Sequence, residues 1–179
     1  MADLKIPNLN MNSDNIQNQP IIIFTDASYR KNRDISSFGI VVENIFQDFD
    51  LPENIIEKYN IIIEEESCEN VCVLSGIINN VSVNFSEIMG ILAALEIFQF
   101  LANETKQSIV FYTDSLVAKK VLAAKRLTAG SQQYSEIKKM YKKIIEQNEL
   151  NVKIKKVAAH AGIELNELAD KVARARLNQ

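Results

Sequence analysis

Four carboxylates and one imidazole carry most of the chemistry this sequence can offer. Asp26 follows the apolar run Ile21-Ile22-Ile23-Phe24-Thr25, and Asp114 follows Ile109-Val110-Phe111-Tyr112-Thr113. Glu87 stands at the start of an apolar helical segment, and Asp170 lies ten residues after His160, the only histidine. Magnesium is a hard cation that takes oxygen ligands, usually one or two carboxylates together with waters and substrate phosphates. Two such ions roughly 4 Å apart activate an attacking water and stabilise the leaving oxygen of an in-line displacement at phosphorus. An imidazole with a pKa of about 6.5 can carry protons beside them. Taken singly, each residue has a plainer use. Asp114 would be a turn former, Glu87 a first-turn acid favourable to the helix dipole, Asp170 a solvated helix residue and His160 a surface or core side chain. Their combination points to a divalent-metal site acting on phosphodiesters.

Such a site needs several element ends to meet at one edge of a sheet. Ile21 to Asp26 has the continuous apolar character of a strand buried on both faces, opened by Pro20. Phe38–Ile45 reads as a second strand and Val71–Ile78 as a third, with Asn79-Asn80 as a turn. Ser86–Leu101 carries an apolar stripe at helical spacing in Ile91, Ala94, Leu95, Phe98 and Leu101. Ser108–Thr113 is a further short strand. Ser115 can cap a short helix through Ala124, and Ala129-Gly130-Ser131 breaks the chain. Gln132–Gln147 reads as a basic amphipathic helix with Ile137, Met140, Tyr141, Ile144 and Ile145 on its stripe and Lys138, Lys139, Lys142 and Lys143 on its other faces. Asn151–Val157 alternates as a strand, and a last helix spans Asn166 to about Leu177. The order β-β-β-α-β-α-α-β-α implies a mixed α/β fold, a five-stranded mixed sheet flanked by helices. If the strands ending in Asp26 and Asp114 pair, the two aspartates lie side by side. Residues 46–70 are expected to form an insertion or an extended hairpin arm, and residues 1–19 a mobile polar tail before a single domain over 20–179.

Bulk properties set bounds. At 179 residues the chain suits one domain with a substantial core. No run approaches the length needed to span a bilayer, and the first twenty residues are polar and Asn-rich without an apolar leader segment. A cytoplasmic or nuclear location and no membrane partner are therefore expected, as is a monomer. Cys68 and Cys72 are too close in sequence for a disulfide framework and lack the companions of a zinc site. Net charge is −3, but residues 1–105 hold 5 Lys/Arg against 16 Asp/Glu, and residues 106–179 hold 15 against 7. That asymmetry points to a polyanion-binding face in the second half.

The same residues resemble a known family. Thr25-Asp26-Ala27-Ser28, Glu87 opening Glu-Ile-Met-Gly-Ile-Leu-Ala-Ala-Leu-Glu96, Tyr112-Thr113-Asp114-Ser115, and His160-x-Gly162-x3-Asn166-Glu167-x2-Asp170 are similar, in this order over residues 20–177, to type 1 ribonuclease H. The resemblance implies a ribonuclease H-like fold and an endoribonuclease that cleaves the RNA strand of an RNA–DNA hybrid with two Mg²⁺ ions, or Mn²⁺, leaving 5′-phosphate and 3′-hydroxyl ends. It implies that Asp26, Glu87, Asp114 and Asp170 bind the metals and that His160 assists proton movement and product release. Asn84 matches an Asn that reads the hybrid's minor groove, and Asn166 an Asn near the active site, where it also suits an N-cap. Ser28 and Asn84 are candidates for contacts to 2′-hydroxyls, and Ser115 for a substrate contact. Lys138 and Lys142, with Lys119, Lys120, Lys125, Arg126, Lys139 and Lys143, are candidates to grip DNA-strand phosphates.

The sequence also departs from the family pattern. Ala27 stands where Gly is common, Tyr29-Arg30-Lys31-Asn32-Arg33 replaces a glycine-rich turn, and Leu116 replaces a frequent Gln. Residues 46–70 exceed the usual link, the segment between Asp114 and Gln132 is too short for an extra basic helix, and the chain has no Trp. Two rival readings share the fold: a non-catalytic hybrid-binding domain, and a resolvase- or integrase-like DNA nuclease. The four acids weigh against the first, and the histidine-to-aspartate motif against the second.

Overall fold

A computed structural model describes residues 19–45, 50–64, 67, 71–79, 81–123, 132–158 and 162–179. His160, Lys125, Arg126, Cys68 and the expected N-terminal tail lie outside the described residues, apart from Gln19 at the end of that tail.

The elements run β1 (Ile21–Arg30), β2 (Ile35–Glu43), α1 (Glu53–Tyr59), β3 (Ile62–Ile63), β4 (Val71–Asn79), α2 (Val83–Thr105), β5 (Ile109–Thr113), α3 (Leu116–Ala123), α4 (Gln132–Gln147), β6 (Val152–Lys156) and α5 (Glu164–Arg176). The sheet has six strands in the order β3-β4-β2-β1-β5-β6, one more than the five expected. β1, β2 and β4 form an antiparallel meander, and β1-β5-β6 are parallel. The mixed α/β architecture is therefore the expected one.

Alternation along the strands divides the core in two. Ile21, Ile23, Ile40, Val42, Cys72 and Leu74 face the larger core with α2, α3 and α4. Ile22, Phe24, Val41, Val71 and Val73 face the smaller one under α5, with Ala169 and Val172. β1 can pack both faces because its first half is apolar at every position.

The extra strand comes from the insertion. Glu53–Tyr59 forms a helix after Pro52, which supplies fixed φ at a position where the missing N–H costs nothing. Asn60 then takes a left-handed conformation at φ 48° and turns the chain toward β3, which pairs with β4 at Ile62↔Ser75. Leu51, Ile55, Tyr59 and Ile61 are buried, so the segment extends the core rather than standing out as an arm.

α2 is longer than the Ser86–Leu101 reading. Ser82 caps it, accepting from the Phe85 N–H at 3.4 Å, so the helix begins one turn before Glu87. By length and composition α2 could cross a bilayer, contrary to the expectation that no segment approaches that length, but 72% of its apolar window is buried inside the fold.

Candidate active site

Asp26 sits in the middle of β1, not at its end, because the strand continues through polar Ser28, Tyr29 and Arg30 while paired with β2. What ends beside Asp26 is the pairing with β5: the parallel register runs from Ile21↔Ile109 to Phe24↔Tyr112, and two residues further each strand carries an aspartate. Asp26 and Asp114 are thus neighbours, as the side-by-side expectation required. Glu87 reaches them from the second turn of α2. One carboxylate oxygen each from Asp26, Glu87 and Asp114 lies within 4.8 Å of the others.

The electrostatics of this group are unfavourable without a cation. Asp26 is 9% and Glu87 8% exposed. Burial, the negative charges of Asp114 and Asp170, and too little compensation push the Asp26 carboxyl up to about 6. The main opposing influence is the Ala27 N–H, which donates to Asp26 Oδ1 at 2.7 Å. Burial, then the charges of Asp26 and Asp114, hold Glu87 far above the carboxylate range, so that it keeps its proton and hydrogen-bonds Asp26. Glu87 Oε2 is buried with no partner. A buried, unsatisfied carboxyl oxygen between two aspartates costs stability unless something positive meets it. Three hard oxygen donors around one point fit a divalent cation such as Mg²⁺ or Mn²⁺.

Asp170 stands slightly apart. It projects from α5, and Arg174 one turn on holds its Oδ1 at 2.8 Å. It is close enough for its charge to act on Asp26 but does not belong to the 4.8 Å triad.

A residue the sequence reading passed over sets that separation. Gly39 of β2 pairs with Asp26, and a Cβ there would lie 2.1 Å from the Ala169 carbonyl oxygen of α5. The glycine lets α5 rest directly on the sheet, which brings the residue after Ala169, Asp170, toward Asp26. A glycine inside an otherwise strong strand was the available signal, since it marks close backbone approach.

The remaining candidates scatter. Ser28 lies on the same face of β1 as Asp26, two residues on, and is partly exposed. Ser115 performs the capping role expected of it, accepting from the Ala118 N–H at 3.1 Å. Asn84 is exposed in the first turn of α2. Asn166 does not cap α5. The N-cap position is Ile163, so Asn166 falls inside the first turn, buried, with an unpartnered Oδ1. Lys138 is buried where an outward face was expected, and burial followed by the charge of Lys142 lowers its pKa. The helix is rotated so that Ile137, Lys138 and Tyr141 turn inward and Met140 is 41% exposed. Lys142 remains exposed.

No curated protein sequence matches this chain. Among solved structures, RNase H1 of Halobacterium salinarum NRC-1 superposes with a TM-score of 0.60 at 16% identity, over 89% of this chain and 98% of that one. The N-terminal RNase H domain of a Mycobacterium tuberculosis protein gives 0.58 at 14%, over 89% and 97%. LC11-RNase H1, solved with an RNA/DNA hybrid, gives 0.59 at 16%, over 88% and 99%. These likenesses concern the fold. The family model for RNase H matches residues 18–178, a span that contains the clustered acids, Asp170 and all six strands, and on that match the chain belongs to the ribonuclease H family.

Proposed function

We propose that this chain hydrolyses the RNA strand of RNA–DNA hybrids by two-metal-ion catalysis, leaving 5′-phosphate and 3′-hydroxyl ends. One observation carries the reading: Asp26, Glu87 and Asp114 offer oxygens within 4.8 Å of one another, and a buried Glu87 oxygen has no partner. Asp26, the central acid, would bridge both ions, with Glu87 and Asp114 holding one and Asp170 the other. Bound Mg²⁺ supplies an activated water and charge stabilisation at the leaving oxygen.

The chain's own groups position the rest. Glu87 would have to be deprotonated to hold a cation, which would couple metal affinity to pH. Arg174 pairs with Asp170, which would have to leave that contact to hold an ion. Ser28, two residues from Asp26 on β1, and Asn84, three residues before Glu87, would contact the 2′-hydroxyl that distinguishes RNA from DNA. Asn166, buried in the first turn of α5 with an unpartnered oxygen, would take the part of the family's Asn near the active site. Ser115 anchors the helix beside Asp114. Lys142 and the exposed lysines beside it on α4, Lys139 and Lys143, hold the DNA strand's phosphates, a part the buried Lys138 does not share. His160 carries protons and aids product release.

The test is cleavage of a defined RNA–DNA hybrid in Mg²⁺, beside duplex RNA and branched DNA, with product ends mapped. RNA-strand cleavage with 5′-phosphate ends, lost in Asp114→Asn, is expected. Equal signal from both proteins, or products from DNA alone, would overturn the reading.

A further inference from the structure

β6 forms one outer edge of the sheet. Within it Val152 and Ile154 pack on the larger core, so Lys153 and Lys155 point to the other face, and Lys156, on the core-side face by the same alternation, ends the strand. All three are exposed. On that other face α5 packs over β2, β1 and β4, and β5 and β6 lie beyond it. Tyr112 of β5 stands there beside Lys155: the Lys155 ammonium donates to the Tyr112 hydroxyl oxygen at 3.2 Å and lies 5.2 Å from the ring centre. The Tyr112 ring stacks on Phe24, centroids 4.9 Å apart. The aromatic pair thus fixes a phenol whose hydroxyl hydrogen remains available. Among the described residues no carboxylate pairs with Lys153, Lys155 or Lys156.

This row of donors begins at the acids. Thr113, the residue before Asp114, pairs with Lys156, and Tyr112 with Lys155. At about 3.3 Å per residue and about 4.8 Å between strands, the Lys155 Cα lies roughly 8 Å from that of Asp114. Lys153 continues the row away from the site. A strand that crosses the acids to be cut would, on leaving them along this face, meet Lys155 with the Tyr112 hydroxyl, then Lys153, with Lys156 beside its exit at the end of β6.

We propose that β6 is a phosphate track for a single-stranded continuation of the cleaved strand, beyond the end of the hybrid. The track deepens the hybrid-cleaving reading and rests on it for the identity of the strand. Its donors are ammonium and hydroxyl groups suited to phosphate oxygens, so the track recognises backbone and not sequence. Lysines also protect an edge strand from pairing with another chain, and that plainer role makes a different prediction.

The experiment compares the wild-type chain with Lys153→Gln/Lys155→Gln/Lys156→Gln on three labelled probes: a blunt hybrid, the same hybrid with an RNA-strand tail of about 10 nucleotides, and one with a DNA-strand tail of that length. Affinity is read by anisotropy in EDTA, so the outcome does not depend on cleavage. Cleavage of the blunt hybrid in Mg²⁺ separately reports the activity. The triple variant is expected to bind the RNA-tailed probe roughly tenfold more weakly, with a salt slope shallower by about 1–2 for two to three lost phosphate contacts. Its affinity for the blunt probe is expected to be unchanged. Lys155→Gln alone should show a smaller effect of the same kind, which covers loss of folding in the triple variant. An equal effect on all probes, an effect confined to the DNA tail, or aggregation without any change in affinity would overturn the track.

Discussion

Removing the central negative charge should stabilise the metal-free protein, and the size of the effect follows from the site. Asp26 is raised from its ordinary 3.8 to about 6 by burial first and by the charges of Asp114 and Asp170 after it. In the unfolded chain it loses its proton near the ordinary value. In the folded chain it holds the proton until near 6. Between those values the folded state binds more protons, so stability falls as pH rises through the window of about 4 to 6, and the loss is complete above it. About two units correspond to roughly 3 kcal/mol. Asp26→Asn cannot ionise and escapes this loss, but it exchanges the charged acceptor of the Ala27 N–H for a weaker neutral one, which returns about 1 kcal/mol. A net gain of about 1–2 kcal/mol at pH 8 means a melting temperature higher by roughly 2–8 °C for a chain of this size. The assay is thermal unfolding by circular dichroism in EDTA from pH 4 to pH 8. The variant should match or fall below wild type at pH 4 and exceed it at pH 8, and Mg²⁺ should raise the wild type and reverse the order. A variant less stable than wild type at pH 8 in EDTA would refute the reasoning, because the carboxylates would then not be crowding one another.

Gly39→Ala should lower the melting temperature by roughly 2–12 °C, since its Cβ would meet a backbone oxygen of α5 and overpacking costs about 1–3 kcal/mol; turnover should fall further than stability explains, measured at a temperature where the variant is folded. Glu87→Gln should abolish Mg²⁺-dependent cleavage while raising metal-free stability at neutral pH, because there the unfolded chain ionises Glu87 and the folded chain keeps it protonated, a cost the amide escapes, as melting curves with and without Mg²⁺ would show. Calorimetric titration with Mg²⁺ at pH 7 in buffers of different ionisation enthalpy should show proton release on binding, diminished in Glu87→Gln. Ser115→Ala should cost about 1 kcal/mol through loss of the α3 cap, read by denaturant unfolding.

The residues that carried the sequence reading were those whose local pattern and final environment agree. Ile21 to Phe24 is apolar at every position because both faces of β1 are covered, and the stripe around Leu95 belongs to a helix buried nearly all round. The misreadings share another cause, contacts made by distant segments. Ser28 to Arg30 are polar yet remain in a strand because β2 pairs with them. Glu53–Tyr59 is too short and too acidic to announce a helix, and it forms because Ile55 and Tyr59 find a surface on α2 and β4. Lys138 turns inward because Tyr141 and Ile137 set the rotation of α4. At the site, the acids could be named from their motifs, but the protonation of Glu87, the Arg174 contact on Asp170 and the closeness allowed by Gly39 depend on three-dimensional neighbours that no local window contains.

The most direct measurement is a crystal of this chain soaked in Mn²⁺, with anomalous scattering used to locate the ion. A peak roughly 2.1 Å from carboxylate oxygens of Asp26, Glu87 and Asp114, absent in Asp26→Asn, is the expected result. Manganese bound only elsewhere on the surface, with the Glu87 oxygen still unpartnered, would contradict the account.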